Sequence, residues 1–205
     1  MKTYPSIVTL NKNKSEPIEM WVFDKLDGSN LRFEWHRKRG WGKFGTRTRL
    51  FDRTDPTFGC AIDLFLNKYS EDLERIFRKQ NFEETTVFCE FWGQSSFAGQ
   101  HVESEPKNVT LFDVDVFKKC IIGPRQFLDL FGHLDHAPYL GKHIWDQDFI
   151  QAVYNQEIEG MSLEGVVGKA GEGHHLKMYK AKTKEWLDLI RARYDEATAN
   201  QLINS

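Results

Sequence analysis

Cysteine is scarce in this chain. Cys60, Cys89 and Cys120 are the only three in 205 residues, and none forms a C-x-x-C pair. That spacing excludes a disulfide scaffold and a zinc ribbon, and reads as reduced thiols of a cytoplasmic protein. No run approaches the roughly 20 apolar residues of a membrane span, and "MKTYPSIVTLNKNKSE" lacks the apolar core of a signal peptide. Internal repeats and low-complexity linkers are absent too. Neither charge dominates: 28 Lys/Arg against 30 Asp/Glu leaves a net charge of −2, which excludes a protein that simply coats nucleic acid. The tandem His174-His175 reads as a solvated turn, not a metal site.

What is present suits a packed protein. Hydrophobic residues make up 40% and aromatic residues 14%, in a length suited to one sizeable domain over residues 1–205. "MWVFDKL" and "NLRFEWHR" have the composition of strands, with an Asp27-Gly28 turn signal between them. "GWGKFGTRTRLF" reads as a further strand pair or a strand with a glycine turn. The period then changes. Ile62, Phe65, Leu66, Tyr69, Leu73, Ile76 and Phe77 recur at helical spacing. "TTVFCEFWG" and "VTLFDVDVF" are near-continuous apolar strands, broken by Glu90, Asp113 and Asp115. Pro124 is placed for a first helical turn. A helix follows with Asp146 or Asp148 as cap and Gly160 as its stop. "SLEGVVGKA" and "HHLKMYKAK" read as strands, and "TKEWLDLIRARYDEATANQLI" as one closing helix. "GQSSFAGQHVESEPKN" is the one long irregular stretch. The fold class is α+β.

Charge is distributed unevenly. Residues 37–53 carry seven Lys/Arg against one Asp, and residues 177–193 carry four Lys and two Arg against Glu185 and Asp188. Two basic tracts in a near-neutral protein suit a phosphate-bearing ligand. Five segments are hard to explain structurally: "KLDGSN", "FGTRTR", "FCEFWG", "LEGVVGK" and "YKAKTKEW". Lys25 follows an apolar run, where burial makes a lysine's charge costly. Glu90 has aromatic neighbours, Phe88, Phe91 and Trp92, and costs several kcal/mol if buried unpaired. Glu164 is in the same predicament. Lys180 and Lys182 alternate in a strand and point the same way, so they repel unless an anion lies between them. A phosphate ester with a divalent metal satisfies all of these at once. Singly, each has a plainer alternative: a Lys25–Asp27 turn pair, a structural arginine for Glu90, an exposed strand face for the lysines.

Taken in order, the segments resemble the nucleotidyltransferase motifs of covalent polynucleotide ligases and mRNA capping enzymes, from about residue 20 onward. They are most similar to the phage RNA ligase 2 family. "KLDGSN" resembles motif I, with Lys25 as the adenylated lysine. Asp27 departs from that family's K-x-H-G toward the general ligase K-x-D-G, and Asn30 keeps the RNA-ligase ending. "GTRT" resembles motif Ia through Arg47, with Arg49 as the competing residue. "VFCEFWG" resembles motif III through Glu90, and "LFDV" motif IIIa, with Phe112 stacked on adenine. "EGVV" resembles motif IV through Glu164, and "YKAKTKEW" motif V through Lys180 and Lys182, with Lys177 as a competing register.

The resemblance implies an adenylation domain of antiparallel sheets flanked by helices around an ATP cleft. It also implies a monomer in the cytoplasm, or the host's cytoplasm if the chain is phage- or virus-encoded. It implies ATP and Mg²⁺ or Mn²⁺ as cofactors, Glu164 as metal ligand and Glu90 near the ribose. The reaction implied is sealing of 5′-phosphate and 3′-hydroxyl RNA ends through lysyl-AMP. The catalytic set is then Lys25, Glu90, Glu164, Lys180 and Lys182, with Asp27, Asn30, Arg47 and Phe112 completing the nucleotide contacts. Only 23 residues follow Lys182, so neither an oligonucleotide-binding barrel nor a helical C-terminal domain is expected. A minimal DNA nick ligase, and a binding module that has lost turnover, are the alternative expectations.

Overall fold

The computed structural model describes residues 2–9, 17–94 and 104–204. In chain order the elements are β1 (Val8–Thr9), β2 (Ile18–Asp24), β3 (Ser29–His36), β4 (Gly40–Thr46), β5 (Leu50–Phe51), α1 (Gly59–Lys79), β6 (Glu84–Trp92), β7 (Asn108–Val116) and β8 (Cys120–Ile121). They continue with α2 (Pro124–Phe131), β9 (Tyr139–Trp145), α3 (Gln147–Tyr154), β10 (Gly165–Ala170), β11 (Lys177–Lys182), α4 (Lys184–Arg193) and α5 (Glu196–Asn204). The class is α+β, as expected. Most of the irregular stretch anticipated over 93–108 lies outside the described residues. No described helix is long and apolar enough to cross a membrane.

Two compact units emerge, one of Met1–Tyr4 with Gly28–His136, the other of Pro5–Asp27 with Ala137–Ser205. β2 and β3 flank the Asp27-Gly28 turn without pairing, because each belongs to a different sheet. The first unit holds a six-stranded sheet in the order β5-β4-β3-β6-β7-β8, antiparallel throughout. Its α1 buries Ala61, Ile62, Phe65, Tyr69, Leu73 and Phe77, the stripe that the 3.6-residue period foretold. Phe65 stacks on Phe33 of β3 with ring centroids 3.8 Å apart, and Phe77 packs on Trp35 at 5.2 Å. Each such ring taken from water is worth roughly 1.5–3 kcal/mol.

Polar side chains of the same sheet meet the N-terminal segment. Arg32 Nη1 donates to the Lys2 carbonyl at 3.0 Å and to Thr3 Oγ1 at 2.9 Å. Lys2 Nζ lies 2.6 Å from Asp115, and the Tyr4 hydroxyl donates to Asp113 Oδ2 at 2.5 Å.

The second unit holds a sheet in the order β1-β11-β10-β2-β9, antiparallel except where β1 runs parallel to β11. One face packs Met20, Val22, Val166 and Ala181 against Trp145, and against Phe149 and Val153 of α3. Asp146 caps α3 by accepting the Phe149 N–H at 2.9 Å. The helix stops well before Gly160. Gln156 adopts a left-handed φ of 61° just past its end, the post usually given to glycine, so Gly160 marks a later turn. The single closing helix expected is likewise two. Asp195 accepts the Thr198 N–H at 3.0 Å and its hydroxyl at 2.6 Å, starting α5 after Tyr194 has left helical geometry. His174 and His175 occupy a short, exposed 3₁₀ turn.

Candidate active site

Strand ends of the second unit bring its charged residues together. Lys25 follows β2 directly, and its backbone N–H donates to the Gly165 carbonyl at 3.0 Å, fastening the end of β2 to the start of β10. Its Nζ lies 2.6 Å from Glu164 Oε1. Lys182 Nζ approaches the same oxygen at 3.3 Å. Lys25 thus pairs with a glutamate remote in sequence. The lysines of β11 are no exposed strand face: Lys180 is 1% and Lys182 8% exposed. Lys177, the competing register, is exposed at the far end of β11.

Backbone geometry explains why glutamate is followed by glycine here. Gly165 has φ 138°, and a Cβ would fall 2.1 Å from the Ala181 carbonyl oxygen. Only glycine lets β10 and β11 approach so closely beside Glu164. Thr183 closes the corner. Its N–H donates to the Glu164 carbonyl at 3.1 Å, its hydroxyl donates to the Leu163 carbonyl at 2.6 Å, and that hydroxyl accepts the Trp186 N–H as the cap of α4.

Lys182 is strongly perturbed. Burial first, with the charges of Lys25 and Lys180, pushes its ammonium down to about 8 against the pull of Glu164. Its Nζ donates to the Leu202 carbonyl at 3.2 Å and sits 3.9 Å from the centroid of the Trp186 ring. The Trp186 indole N–H in turn donates to Asp27 Oδ1 at 3.4 Å. Asp24, buried, accepts the Ser162 N–H at 2.7 Å, and burial raises its carboxyl above the usual range. Sequence reasoning missed Trp186, which ends "YKAKTKEW", and Asp24, one residue before "KLDGSN".

In the first unit the remaining candidates gather along β3, β6 and β7. Asn30 stands opposite Glu90 in the β3–β6 register, and Glu90 opposite Thr110 in β6–β7. Between Phe88 and Cys89 the β6–β7 register slips, so Phe112 is the extra residue of a bulge. A bulge re-aims side chains that strict alternation would send to opposite faces. Phe112 and Asp113 consequently both meet Tyr4, whose ring lies edge-on to Phe112 at 5.1 Å and to Phe88 at 5.0 Å. Burial first, and Asp113 second, raise the Tyr4 phenol well above its ordinary value; Glu90 adds to this and Arg47 opposes it. Tyr4 therefore sits electrostatically among Asp113, Glu90 and Arg47. It gave no sequence signal beyond being an aromatic in a polar N-terminus.

Gly28 completes motif I for a steric reason, since a Cβ there would fall 2.4 Å from the Phe91 carbonyl oxygen. Arg47 is exposed in the Thr46–Arg49 turn, closed by the Thr46 N–H to Arg49 carbonyl bond of 2.8 Å. Arg49, the competing residue, pairs with Asp55 and leans over Phe58. The basic tract proves largely self-neutralised: Arg37 faces Glu83, Lys43 faces Glu34 and Arg53 faces Asp63. Lys38 and Arg39, in the β3–β4 turn, are exposed.

A profile of the RNA ligase family matches residues 18–183. The chain belongs to the RNA ligase family. Solved structures of Naegleria gruberi RNA ligase share the fold. An apo variant aligns with a TM-score of 0.66 at 16% identity, over 93% of this chain and 60% of that one. A variant holding ATP and Mn aligns with a TM-score of 0.59 at 17% identity, over 83% and 51%, and a structure with PPi at 0.60 and 16%, over 94% and 61%. This RNA-ligase-family chain thus spans about half to three-fifths of the length of those proteins. Comparison with curated proteins finds no match.

Proposed function

We propose that this chain is an ATP-dependent RNA ligase, nearest the phage RNA ligase 2 branch, with residues 1–205 forming one nucleotidyltransferase domain. It would join 5′-phosphate to 3′-hydroxyl RNA ends through lysyl-AMP on Lys25. The observation that carries this reading is the cluster at the ends of β2, β10 and β11, where Lys25 and Lys182 meet on Glu164 with Lys180 beside them. Buried lysines crowding a single carboxylate favour an incoming anion.

In the first step the unprotonated Lys25 amine attacks the α-phosphorus of ATP. A P–N bond forms, the P–O bond to pyrophosphate breaks, and the lysine proton is lost. Lys180 and Lys182 stabilise charge as it shifts onto the α-phosphate oxygens and the leaving group. Phe112 stacks on adenine, Glu90 and Asn30 hold the ribose side, Arg47 supplies a planar donor fork, and Asp27 is held for the nucleotide by Trp186. An oxygen of the RNA 5′-phosphate then attacks the AMP phosphorus, the P–N bond breaks and the Lys25 amine leaves with a proton from solvent. The 3′-hydroxyl next attacks the RNA 5′-phosphorus, gives its proton to solvent and expels AMP.

A divalent ion fits this site. Among the described residues no three His, Cys, Asp or Glu side chains come together to cage a metal. Glu164 with phosphate and water oxygens is the kind of set Mg²⁺ or Mn²⁺ accepts, and the ion would neutralise triphosphate charge.

The test is incubation with labelled ATP and, separately, GTP, followed by denaturing electrophoresis and peptide mapping. ATP should label Lys25 through a bond stable to base and labile to acid, and Lys25→Ala should take no label. AMP mapped to Lys180 or Lys182, or labelling by GTP alone, would overturn the assignment. Sealing of nicked DNA but not of RNA would replace the RNA substrate with DNA.

A further inference from the structure

The sheet of the second unit has a face that the chemistry above uses only at one end. Residues 21, 23 and 25 alternate onto the same side of β2. Lys25 occupies one end of that row, and Phe23 and Trp21 extend it away from the reacting lysine. Across the ladder Trp21 stands opposite Lys142 of β9 on one side and Lys169 of β10 on the other, while Phe23 stands opposite Tyr139. The rings form a continuous patch: Tyr139 lies 5.5 Å from Trp21 and 5.4 Å from Phe23, centroid to centroid. Lys142 Nζ sits 4.9 Å from the Trp21 centroid and Lys169 Nζ 4.8 Å from that of Phe23.

We infer that Trp21, Tyr139 and Lys142 form a stacking platform for single-stranded RNA running away from the joining point at Lys25. Given the RNA-joining function on which it rests, three observations favour that occupant. The patch shares a strand face with the reacting lysine: four residues of strand place Trp21 about 13 Å from Lys25, with the buried Phe23 between them. That distance is the length of roughly four stacked nucleotides at about 3.4 Å each. The chemistry is also complementary, since aromatic planes accept any base while the exposed Lys142 ammonium meets a phosphate. Access is the third. Tyr139 is 37% exposed, and the side chain of Lys142 is 44% exposed, held to Glu19 at 2.8 Å. An exposed pair of this kind is worth little, so a phosphate displaces Glu19 at small cost. Cross-strand ring packing alone would account for Phe23, which is buried, but not for a partly exposed tyrosine and lysine at the edge strand.

The experiment uses the whole chain and two probes, a short single-stranded RNA and a blunt RNA duplex. Affinity is read by fluorescence anisotropy across a salt series, and self-adenylation and end-joining by single-turnover rates. Trp21→Ala and Tyr139→Ala should each weaken single-strand binding about tenfold or more, the range seen when a base loses its aromatic partner. Duplex binding and lysyl-AMP formation should stay unchanged. Lys142→Ala should flatten the salt dependence by about 0.7 in log–log slope, the loss of one phosphate contact. Unchanged single-strand affinity and joining in Tyr139→Ala and Lys142→Ala, both at accessible positions, would overturn the platform while leaving the ligase reading intact. Equal losses on strand and duplex would overturn the single-strand assignment. Failure of the unmodified chain to form lysyl-AMP would instead strike the proposed function.

Discussion

The two halves of the candidate machinery are built by opposite means. In the second unit, the Lys25–Glu164–Lys182 cluster is a matter of charge in confinement: two ammonium groups on one carboxylate oxygen, with Lys180 adding to the repulsion. In the first unit, Phe112, Asp113 and Tyr4 make a shape-determined arrangement of edge-on rings and a buried hydrogen bond. The first kind of construction stores electrostatic imbalance that a phosphate relieves. The second fixes a flat surface and costs little to leave vacant. Substitutions should therefore affect rate in one unit and affinity in the other.

The largest effect expected is on rate. Glu164→Ala and Lys182→Ala should slow lysyl-AMP formation by roughly a hundredfold to a thousandfold, the loss typical of one electrostatic group at a reacting centre. Single-turnover labelling at saturating ATP measures this. A change confined to the ATP concentration dependence would erase the contrast between the units.

The pH profile sharpens the same half. With its ammonium pushed down to about 8, Lys182 loses its proton as pH rises through that value, so kcat/KM for ATP should fall on the alkaline side. Lys182→Arg keeps its charge over this range and should move that limb upward. An alkaline limb unmoved by the arginine would assign the titration to another group.

In the first unit the effects should be smaller and of a different kind. Phe112→Leu should weaken ATP binding by roughly 1–3 kcal/mol, as loss of base–aromatic stacking does, with the rate at saturation preserved. Tyr4→Phe keeps the ring but removes the buried hydrogen bond to Asp113, at about 1–3 kcal/mol of stability in urea unfolding. It should raise the KM for ATP while sparing kcat. Abolition of adenylation by Phe112→Leu would show that the ring serves the chemistry itself. Smallest is a control remote from both clusters: Asp146→Ala removes the α3 cap and should cost about 1 kcal/mol with adenylation unchanged.

How much of this was legible in sequence follows the same division. The charged half could be read because its residues sit in short runs of contrasting character. A lysine after an apolar strand and two alternating lysines in another are anomalies that a local pattern exposes. The strands and the long α1 were legible for the same reason, being periodic. Tyr4 was not legible, because its partner Asp113 is more than a hundred residues away and nothing near it in the chain is unusual. The bulge at Phe112 was hidden too, since one extra residue leaves the composition of "VTLFDVDVF" unchanged while altering which side chains share a face. Helix ends failed where a non-glycine residue took a left-handed post, as at Gln156, or where Asp195 started a new helix inside a helical pattern. The pairing within the basic tract was hidden, because a count of charges ignores partners elsewhere in the chain. Arg37, Lys43, Arg49 and Arg53 each find an acid that the linear run does not show.

The hydrogen bond from Lys182 to the Leu202 carbonyl has a consequence for communication along the chain. An incoming phosphate that reaches Nζ without moving it takes the third N–H and leaves that bond in place; if it draws Nζ toward itself, the carbonyl at the last turn of α5 loses this donor. By thermodynamic reciprocity, occupancy at Lys182 and order in α5 are then two readings of one equilibrium. Whatever loosens the helix raises the lysine's affinity for anions, and whatever binds the lysine loosens the helix. Amide exchange along residues 196–204 therefore becomes a gauge of the nucleotide state, legible without touching the reacting atoms.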